Sequence, residues 1–218
     1  MGLFVVFEGI EGCGKSTQIQ LLGSWLERKN IDCIITREPG GTATGEAIRK
    51  IFLHSDNREL TPLAELLLVT AARVQHVCQV IRPALDKNRV VVCDRFFDAT
   101  VAYQGYAGGV TLDLIEKTHA LFLDSITPDL TILLDCRVPV GLERSRSRNR
   151  AEGKETAEGR FEDKTVAFHE KVRRGYLERA ARETERFRTL DAGQPVEAVH
   201  REVCGIVVET LRGRGYAV

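Results

Sequence analysis

The feature that most constrains the fold is the glycine-rich segment Gly9–Ser16, with the sequence Gly-Ile-Glu-Gly-Cys-Gly-Lys-Ser. It follows the apolar run Leu3–Phe7 and precedes a helical pattern at Thr17–Arg28. Between a strand and a helix, the glycines allow backbone N–H groups to turn inward around phosphate oxygens, and the helix N-terminus adds partial positive charge. The segment is therefore predicted to be a phosphate-binding loop (P-loop), in which Lys15 reaches the β- and γ-phosphates and Ser16 is a ligand of Mg²⁺.

We expect the whole loop and the residue after it to contact a purine nucleoside triphosphate. These nucleotide-binding candidates are Gly9, Ile10, Glu11, Gly12, Cys13, Gly14, Lys15, Ser16 and Thr17. The loop alone does not define the reaction. The sequence lacks the Asn-Lys-x-Asp element of GTPases, and its candidate strand ending Leu134-Asp135-Cys136 lacks the Asp-Glu end usual in motor and AAA-type ATPases. Both classes are disfavoured.

Short apolar runs alternate with longer helical patterns along the chain. The runs are Leu3–Phe7, Cys33–Thr36, Val90–Cys93, Leu130–Leu134 and, more weakly, Phe187–Leu190. Apolar strands separated by helices predict an α/β doubly wound P-loop fold, in which helices flank a five-stranded parallel sheet. At 218 residues the chain is interpreted as a single domain over residues 1–218. The stretch at about 143–160, rich in Arg, Glu, Gly and Ala, is interpreted as a short mobile lid.

Proline residues predict where two helices begin. Thr61-Pro62 is a typical helix start, with Thr as the cap and Pro in the first turn, and Pro83 is expected to kink or end that helix. Pro195 precedes an amphipathic pattern, Val196–Leu211, that predicts a C-terminal helix.

The overall charge indicates no extended surface for nucleic acid or membrane, because 31 basic and 31 acidic residues cancel. The six cysteines form no C-x-x-C pair, and several lie inside apolar runs, which favours reduced thiols. The N-terminus lacks the basic region of a signal peptide, and no apolar run approaches the length of a membrane span. We therefore expect a cytoplasmic protein with no nucleic-acid or membrane partner.

Charged residues directly after two predicted strands indicate a second ligand. Arg37 follows the second run, and Asp94 and Arg95 follow the third. In a doubly wound sheet such residues line the crevice at the carboxyl ends of the strands. Two arginines beside bound phosphates indicate a second phosphorylated substrate.

Several motifs, in their order and spacing, resemble those of thymidylate kinases, and the resemblance runs nearly end to end. They are Phe7-Glu8-Gly9, Arg37-Glu-Pro-Gly-Gly-Thr42, Ala72-Arg73-Val74-Gln75, Asp94-Arg95-Phe96, Ala102-Tyr103-Gln104-Gly105, Pro128-Asp129-Leu130 and Leu190-Asp191-Ala192. The resemblance implies phosphoryl transfer from ATP·Mg²⁺ to dTMP, giving ADP and dTDP for dTTP synthesis, by a homodimer formed through helices packed beside the sheet.

The resemblance also implies roles for individual residues. Arg37 and Arg95 would hold the monophosphate, and Asp94 would support the metal together with Ser16. Arg73 would reach the pyrimidine, Tyr103 would lie under the sugar and disfavour a 2′-hydroxyl, and Gln104 would support the same wall. The substrate-binding candidates are thus Arg37, Val69, Arg73, Arg95, Ala99, Thr100, Tyr103 and Gln104.

The chain resembles the bacterial type, in which the P-loop carries an acidic residue, here Glu11, and the lid supplies the catalytic arginine. That arginine lies among Arg144, Arg146, Arg148 and Arg150, of which Arg148 and Arg150 are favoured. The catalytic candidates are Lys15, Arg95, Arg148, Arg150, Glu11 and Asp94. Two interpretations from the residues alone stay open: Glu8 as a structural acceptor, and the stripe through Phe168, Val172 and Tyr176 as core.

Two positions depart from the family pattern. Val69 stands where the family usually has a Phe that stacks on thymine, and Ala99 stands where Ser is frequent, which leaves Thr100 as the polar group. Phe96 or Phe97 could supply the aromatic contact. Two alternatives follow: a nucleoside monophosphate kinase with shifted or broader pyrimidine specificity, and a non-catalytic P-loop nucleotide-binding protein. The intact set of acceptor-side cations argues against the second.

Overall fold

The fold is built on a five-stranded sheet in which neighbouring strands are parallel. The computed structural model describes residues 2–57, 59–124, 126–152, 160–161 and 164–216. The strands are β1 (Leu3–Glu8), β2 (Cys33–Arg37), β3 (Val90–Asp94), β4 (Leu130–Asp135) and β5 (Phe187–Asp191), in the spatial order β2-β3-β1-β4-β5. The predicted α/β doubly wound architecture is confirmed.

Each strand begins where its apolar run predicts and extends one residue beyond that run. The additional residues are all charged: Glu8, Arg37, Asp94, Asp135 and Asp191. An apolar run records which side chains are buried, whereas a strand ends where backbone pairing ends, so the strand includes the first charged residue. Because the strands are parallel, these charged residues lie together at the carboxyl ends of the strands, where ligands bind in such folds.

The central strand β1 is buried along its whole length. Successive side chains of a strand point to opposite faces of the sheet. Accordingly Leu3, Val5 and Phe7 belong to one core cluster, and Phe4 and Val6 to the other. Helices cover both faces, which is why the run is continuously apolar and does not alternate with polar residues.

Helices connect the strands on both sides of the sheet. They are α1 (Lys15–Arg28), α2 (Ala43–Leu53), α3 (Pro62–His76), α4 (Arg82–Asp86), α5 (Phe97–Thr100), α6 (Leu112–Leu123), α7 (Val138–Glu152), α8 (Val166–Arg182) and α9 (Val196–Gly213). A short 3₁₀ helix spans Ser55–Asn57, and π-helical turns span Val77–Ile81 and Val101–Ala107. The predicted C-terminal helix is α9.

The predicted start of α3 is confirmed, since the Thr61 hydroxyl accepts a hydrogen bond from Ala64 N at 3.3 Å. Pro83 does not end this helix. The chain instead passes through the π-helical turn Val77–Ile81 and continues as α4 to Asp86. Proline cannot donate the usual helical hydrogen bond and clashes with the preceding turn, and a widened turn directly before it relieves that clash.

The continuous helix Pro62–Asp86 is long and apolar enough to cross a membrane by length and composition, with a mean hydropathy of 1.2. Half of the 18-residue stretch of this helix that has this hydropathy is buried inside the fold. Leu66, Ala72 and Ile81 are at most 2% exposed and pack in the core. Helices in the core of a protein can be equally long and apolar, and the burial of these residues shows that Pro62–Asp86 is a core helix.

The predicted lid begins within α7, which is helical to Glu152. Residues 153–159 of the predicted lid lie outside the described residues. Arg160 and Phe161 lie in a turn ahead of α8, which begins at Val166. The first turn of α7 packs against the P-loop, because a Cβ added at Gly12 would overlap the carbonyl oxygen of Gly141.

Candidate active site

The P-loop joins β1 to α1 through glycines that adopt positive φ angles. Gly9, Gly12 and Gly14 have φ of 140°, 68° and 101°, a conformation that other residues rarely adopt. Lys15 begins α1, and its ammonium donates hydrogen bonds to Gly9 O at 3.1 Å and to Ile10 O at 3.0 Å. With only 8% of Lys15 exposed, a buried cation lies under a loop at a helix N-terminus, which is an arrangement suited to phosphate.

A cavity of about 420 Å³ extends from the P-loop to the carboxyl ends of β2 and β3. All eight predicted substrate-binding residues line it: Arg37, Val69, Arg73, Arg95, Ala99, Thr100, Tyr103 and Gln104. Six further predicted residues line the same wall: Glu11, Gly12, Lys15 and Ser16 of the loop, together with Asp94 and Arg148. The structure therefore brings the two predicted ligand sites into one space.

Other predicted residues lie outside this cavity wall. Gly9, Ile10, Cys13, Gly14 and Thr17 are absent from the lining, and Ile10 and Cys13 are buried in the core. Arg150 is also absent from the lining. Its guanidinium lies 3.5 Å from Glu143, and 60% of its side chain is exposed. Of the two favoured lid arginines, only Arg148 contributes to the wall, where it also donates to Ser145 Oγ at 3.1 Å.

Arg95 occupies the middle of the site in a strained backbone conformation, with φ of 69°. Its guanidinium donates to Tyr176 OH at 2.8 Å, Tyr103 OH at 3.1 Å and Glu11 Oε1 at 3.2 Å. It also lies 4.9 Å from the centre of the Tyr103 ring. These contacts fix the plane of the guanidinium at the cavity wall.

Glu11 joins the P-loop to this arginine. Burial would raise its pKa, but His169 and the charge of Arg95 outweigh burial and hold the pKa of Glu11 well below its usual range. The Tyr103 hydroxyl donates to the same carboxylate at 2.6 Å. Glu11 is therefore ionised at neutral pH and acts as the counter-charge of Arg95.

Glu8, at the end of β1, is fully buried behind the site. Its carboxylate accepts hydrogen bonds from Phe96 N at 2.8 Å, Ala99 N at 3.2 Å and Tyr176 OH at 2.7 Å. Burial raises the pKa of Glu8 to about 7, although the charge of Arg95 opposes the shift. These contacts match the structural interpretation of Glu8, because it holds the first turn of α5 against the sheet.

A buried ion pair orients Arg73. Its Nε donates to Glu38 Oε2 at 2.6 Å, and its Nη2 donates to Phe96 O at 3.1 Å and Thr100 Oγ1 at 3.0 Å. Glu38 also contacts His76 Nδ1 at 2.9 Å. Arg73 and Glu38 are each 4% exposed in their side chains, so the pair is desolvated and rigid.

Arg37 contrasts with Arg73. Its guanidinium donates to Glu46 at 2.9 Å, but the two side chains are 53% and 39% exposed. Such an exposed pair contributes little to stability and exchanges partners readily. Arg37 is therefore available to a ligand at the cavity wall.

The residues predicted to support a metal fit that role. Ser16 and Asp94 line the same cavity, and Asp94 Oδ1 is buried with no hydrogen-bond partner among the described residues. In the described part of the chain, no group of three or more His, Cys, Asp or Glu side chains could enclose a metal. A hydroxyl and a carboxylate without a closed cage are the protein ligands that Mg²⁺ takes when phosphates and water complete its shell.

Sequence reasoning missed several side chains of this site. Phe52, Leu53 and Phe161 line the cavity, and Tyr176 contacts both Arg95 and Glu8, although its stripe was expected to be core. Tyr176 is indeed 1% exposed, so its apolar spacing carried no sign of the hydroxyl's role. Of the two proposed aromatic substitutes for Val69, Phe96 lines the cavity, whereas Phe97 stacks on His119 at 3.9 Å between ring centres.

The chain after the lid segment is anchored by Arg160, which is 1% exposed. Its guanidinium donates to the carbonyl oxygens of Phe52 at 3.3 Å, Asn57 at 2.9 Å and Leu60 at 3.3 Å, and it pairs with Glu65. Glu65 in turn accepts a hydrogen bond from Gln104 Nε2 at 2.8 Å. The end of the lid segment is thus fixed to the wall beside the predicted sugar site.

Comparisons with known proteins agree with this geometry. The family model described as "Thymidylate kinase" matches residues 7–203. Among curated relatives, the thymidylate kinase of Nitratidesulfovibrio vulgaris (strain DP4) is 48% identical over 209 residues, which cover 96% of this chain and 93% of the relative. The thymidylate kinase of Geotalea daltonii is 49% identical over 213 residues, with 98% and 100% coverage.

A solved structure is similar as well. The crystal structure of thymidylate kinase from Ehrlichia chaffeensis superposes with a TM-score of 0.74 at 31% sequence identity, and the alignment covers 94% of this chain and 98% of that one.

Proposed function

The chain belongs to the thymidylate kinase family, whose model spans residues 7–203, and we propose that its cavity is where the γ-phosphoryl group of ATP is transferred to dTMP. The products are ADP and dTDP. The observation that carries this proposal is the single cavity in which the P-loop residues Lys15 and Ser16 face the arginines Arg37 and Arg95. A donor with phosphates on the loop and an acceptor with a phosphate on the arginines would meet there.

The reaction needs alignment and charge neutralisation more than proton removal. The acceptor is a phosphate monoester whose second pKa lies near 6, so at neutral pH it is mostly a dianion and needs no strong general base. Two anionic substrates repel each other, and Arg37 and Arg95 offset that repulsion while they hold the acceptor in line.

On the donor side, Lys15 contacts the β- and γ-phosphates in this proposal. Mg²⁺, held by Ser16 and supported by Asp94, would neutralise charge on the triphosphate when bound. Arg148 is the lid arginine that we assign to the transferring group, since it lines the cavity and Arg150 does not. Closure of the lid would exclude water, which otherwise wastes ATP by hydrolysis.

On the acceptor side, the Tyr103 ring is the floor of the sugar site, where its bulk disfavours a 2′-hydroxyl, and Gln104 supports that wall. Arg73 reaches the base with a guanidinium oriented by Glu38. Val69 supplies aliphatic contact, Thr100 supplies the polar group beside Ala99, and Phe96 supplies an aromatic wall. The base therefore contacts aliphatic, aromatic, polar and charged side chains.

The experiment that tests this function measures ADP release with ATP, Mg²⁺ and a panel of nucleoside monophosphates: dTMP, dUMP, dGMP, dCMP, AMP and UMP. We expect strong preference for dTMP and little ADP without an acceptor. Similar rates with several monophosphates, or a higher rate with another pyrimidine monophosphate, would show that the acceptor is not specifically dTMP. ADP release that no monophosphate stimulates would remove the kinase assignment altogether.

The metal is tested in the same assay. Removal of divalent cations with a chelator should abolish ADP release, and Mg²⁺ should restore it. Asp94→Asn should raise the Mg²⁺ concentration needed for half-maximal rate, whereas Asp113→Asn, an exposed carboxylate paired with Lys117, should not. An unchanged Mg²⁺ requirement in Asp94→Asn would remove Asp94 from the metal site.

The same proposal includes a cytoplasmic homodimer. All six cysteines are free thiols, as expected in a reducing compartment. Large apolar side chains are exposed on two helices that pack together, with Leu67 of α3 58% exposed and Leu121 of α6 74% exposed. Sedimentation should give a dimer, and Leu67→Glu should give monomer, whereas Ile35→Glu at the sheet edge should leave the dimer intact. A wild-type protein that sediments only as monomer would remove the dimer.

A further inference from the structure

His169, on α8, is fully buried and is absent from the cavity lining. Both of its ring nitrogens nevertheless face oxygen atoms next to the site. Nε2 lies 2.9 Å from Phe161 O, and Nδ1 lies 3.3 Å from Glu11 Oε2. Neither His169 Nδ1 nor Glu11 Oε2 has a hydrogen-bond partner among the described residues, and the two atoms lie at ion-pair distance from each other.

The two oxygens determine how the ring can interact. A carbonyl oxygen carries no proton, so His169 Nε2 must be the donor to Phe161 O. A neutral ring protonated at Nε2 would then turn the lone pair of Nδ1 toward the Glu11 carboxylate, which is repulsive. A ring protonated on both nitrogens turns an N–H toward each oxygen and places positive charge beside the carboxylate. The geometry therefore places the His169 ring between Phe161 O and the Glu11 carboxylate, within ion-pair distance of the carboxylate.

The other oxygen of Glu11 has different partners. Oε1 accepts from Tyr103 OH at 2.6 Å and from Arg95 Nη2 at 3.2 Å. The two oxygens of the carboxylate are thus held separately, Oε2 by His169 and Oε1 by Tyr103 and Arg95. His169 and Arg95 together keep the pKa of Glu11 low despite its burial.

Both ends of the lid segment meet this part of the P-loop. At the N-terminal end, a Cβ added at Gly141 would lie 2.5 Å from Glu11 O, so the backbones are in close contact. At the C-terminal end, His169 connects Phe161 O to the Glu11 side chain. Glu11 therefore contacts the chain on both sides of the lid segment, through its backbone at Gly141 and through its side chain at His169.

We propose that His169 is a positioning residue for phosphoryl transfer: it holds the Glu11 carboxylate where its other oxygen pairs with Arg95, and it ties the chain after the lid to the P-loop. It touches neither substrate. The inference rests on the proposed roles of Glu11 and Arg95. Loss of His169 would let Glu11 turn and would release Phe161, so the phosphate-binding arginine would lose its orientation.

The test is a double-mutant cycle on the full-length protein, measured by ADP release with ATP, Mg²⁺ and dTMP. The four proteins are wild type, His169→Phe, Glu11→Gln and the double variant. Phe keeps a ring of similar size and removes both nitrogens. We expect His169→Phe to lower kcat by about tenfold or more, since small misplacements of catalytic groups have effects of this size, with the KM for ATP within about twofold of wild type. Because His169 acts through Glu11, the double variant should have the kcat of the worse single variant.

Two further variants separate positioning from folding. His119→Phe removes another buried histidine, one whose Nε2 contacts the backbone at Ile126 O and whose ring lies outside the cavity lining. His119→Phe should change kcat by less than about twofold. When it is combined with Glu11→Gln, the fold-changes in kcat of the two single variants should multiply. His169→Gln keeps a donor for Phe161 O and replaces His169→Phe in the cycle if that protein does not fold.

The outcomes are distinct. Multiplicative effects of His169→Phe and Glu11→Gln, or an unchanged kcat in His169→Phe, would overturn the inference while wild-type activity leaves the proposed function standing. Wild-type protein without dTMP-dependent ADP release would overturn the proposed function itself.

Discussion

The Tyr103 hydroxyl donates a 2.6 Å hydrogen bond to Glu11 Oε1, the same oxygen that pairs with Arg95. The ring and the hydroxyl of Tyr103 therefore have separable roles. The hydroxyl fixes the Glu11–Arg95 pair, whereas the bulk of the ring occupies the proposed sugar site. A single conservative substitution can separate them.

Tyr103→Phe removes the hydroxyl and keeps the ring. We expect kcat to fall by about tenfold, the scale of a lost hydrogen bond to a charged group, while discrimination between dTMP and ribothymidine monophosphate is retained. Tyr103→Ala should in addition relax that discrimination. Steady-state kinetics with both monophosphates measure the two effects. Loss of sugar discrimination in Tyr103→Phe would contradict the division of roles.

Lys15→Met should lower kcat by at least a hundredfold, because it removes a cation from the transferring phosphate. The control is Lys29→Met, which makes the same chemical change just beyond the other end of α1, where Lys29 lies over the Trp25 ring. That variant should keep wild-type turnover. A coupled assay of ADP release measures both. Near-normal turnover in Lys15→Met would rule out the proposed mechanism.

The two favoured lid arginines are expected to differ. Arg148 lines the cavity, whereas Arg150 lies 3.5 Å from Glu143 and is mostly exposed. Arg148→Ala should lower kcat by about a hundredfold with little change in the KM for dTMP. Arg150→Ala should lose only an exposed ion pair and stay within about threefold of wild type. The reverse ranking in steady-state kinetics would transfer the catalytic role to Arg150.

Two arginine–glutamate pairs on the acceptor side should differ in their contribution to stability. Glu38→Gln leaves the Arg73 charge buried without a counter-charge, and we expect the free energy of unfolding to fall by about 3 kcal/mol. Glu46→Gln breaks the exposed pair with Arg37 and should change the free energy of unfolding by less than about 1 kcal/mol. Denaturant titrations measure both values. Equal losses would show that burial does not govern these pairs.

Much of the fold could be predicted because β1, β3 and β4 are nearly continuous apolar runs, a pattern that parallel strands buried on both faces produce, whereas β2 and β5 at the ends of the strand order are partly exposed. The charged residues after those runs, such as Arg37 and Asp94, could be placed at one edge by topology alone. The resemblance of the motifs to those of thymidylate kinases then indicated many of the residues that line the cavity, although Phe52, Leu53 and Phe161 were missed.

The remaining features depend on contacts between distant parts of the chain. Tyr176 and His169 lie on α8, where helical spacing predicts that Tyr176 faces the core and gives no prediction for His169. Their polar atoms acquire a role because α8 packs behind Glu8 and Glu11, and nothing local in the sequence indicates that neighbourhood. The π-helical turn before Pro83 was also missed, since a proline predicts a break and does not predict how the backbone accommodates it.

His119 should make folding sensitive to acid. Its Nε2 contacts Ile126 O at 3.0 Å, its Nδ1 is buried with no hydrogen-bond partner among the described residues, and its ring stacks on Phe97. Burial, with the charge of Arg73, lowers the pKa of His119 to about 4 from an ordinary value of 6.5. The folded protein therefore keeps this ring neutral at a pH where the unfolded chain has already bound a proton.

Because the unfolded state binds the proton first, the contribution of His119 to stability is complete above pH 6.5 and is lost as the pH falls toward about 4. As the pH falls through this window, the free energy of unfolding of wild type should drop by about 2 kcal/mol relative to that of His119→Phe. This value is smaller than the full pKa difference would give, because the ring is not wholly desolvated. Urea titrations of both proteins at several pH values measure the difference. A difference that is constant with pH would show that His119 is protonated equally in the folded and unfolded states.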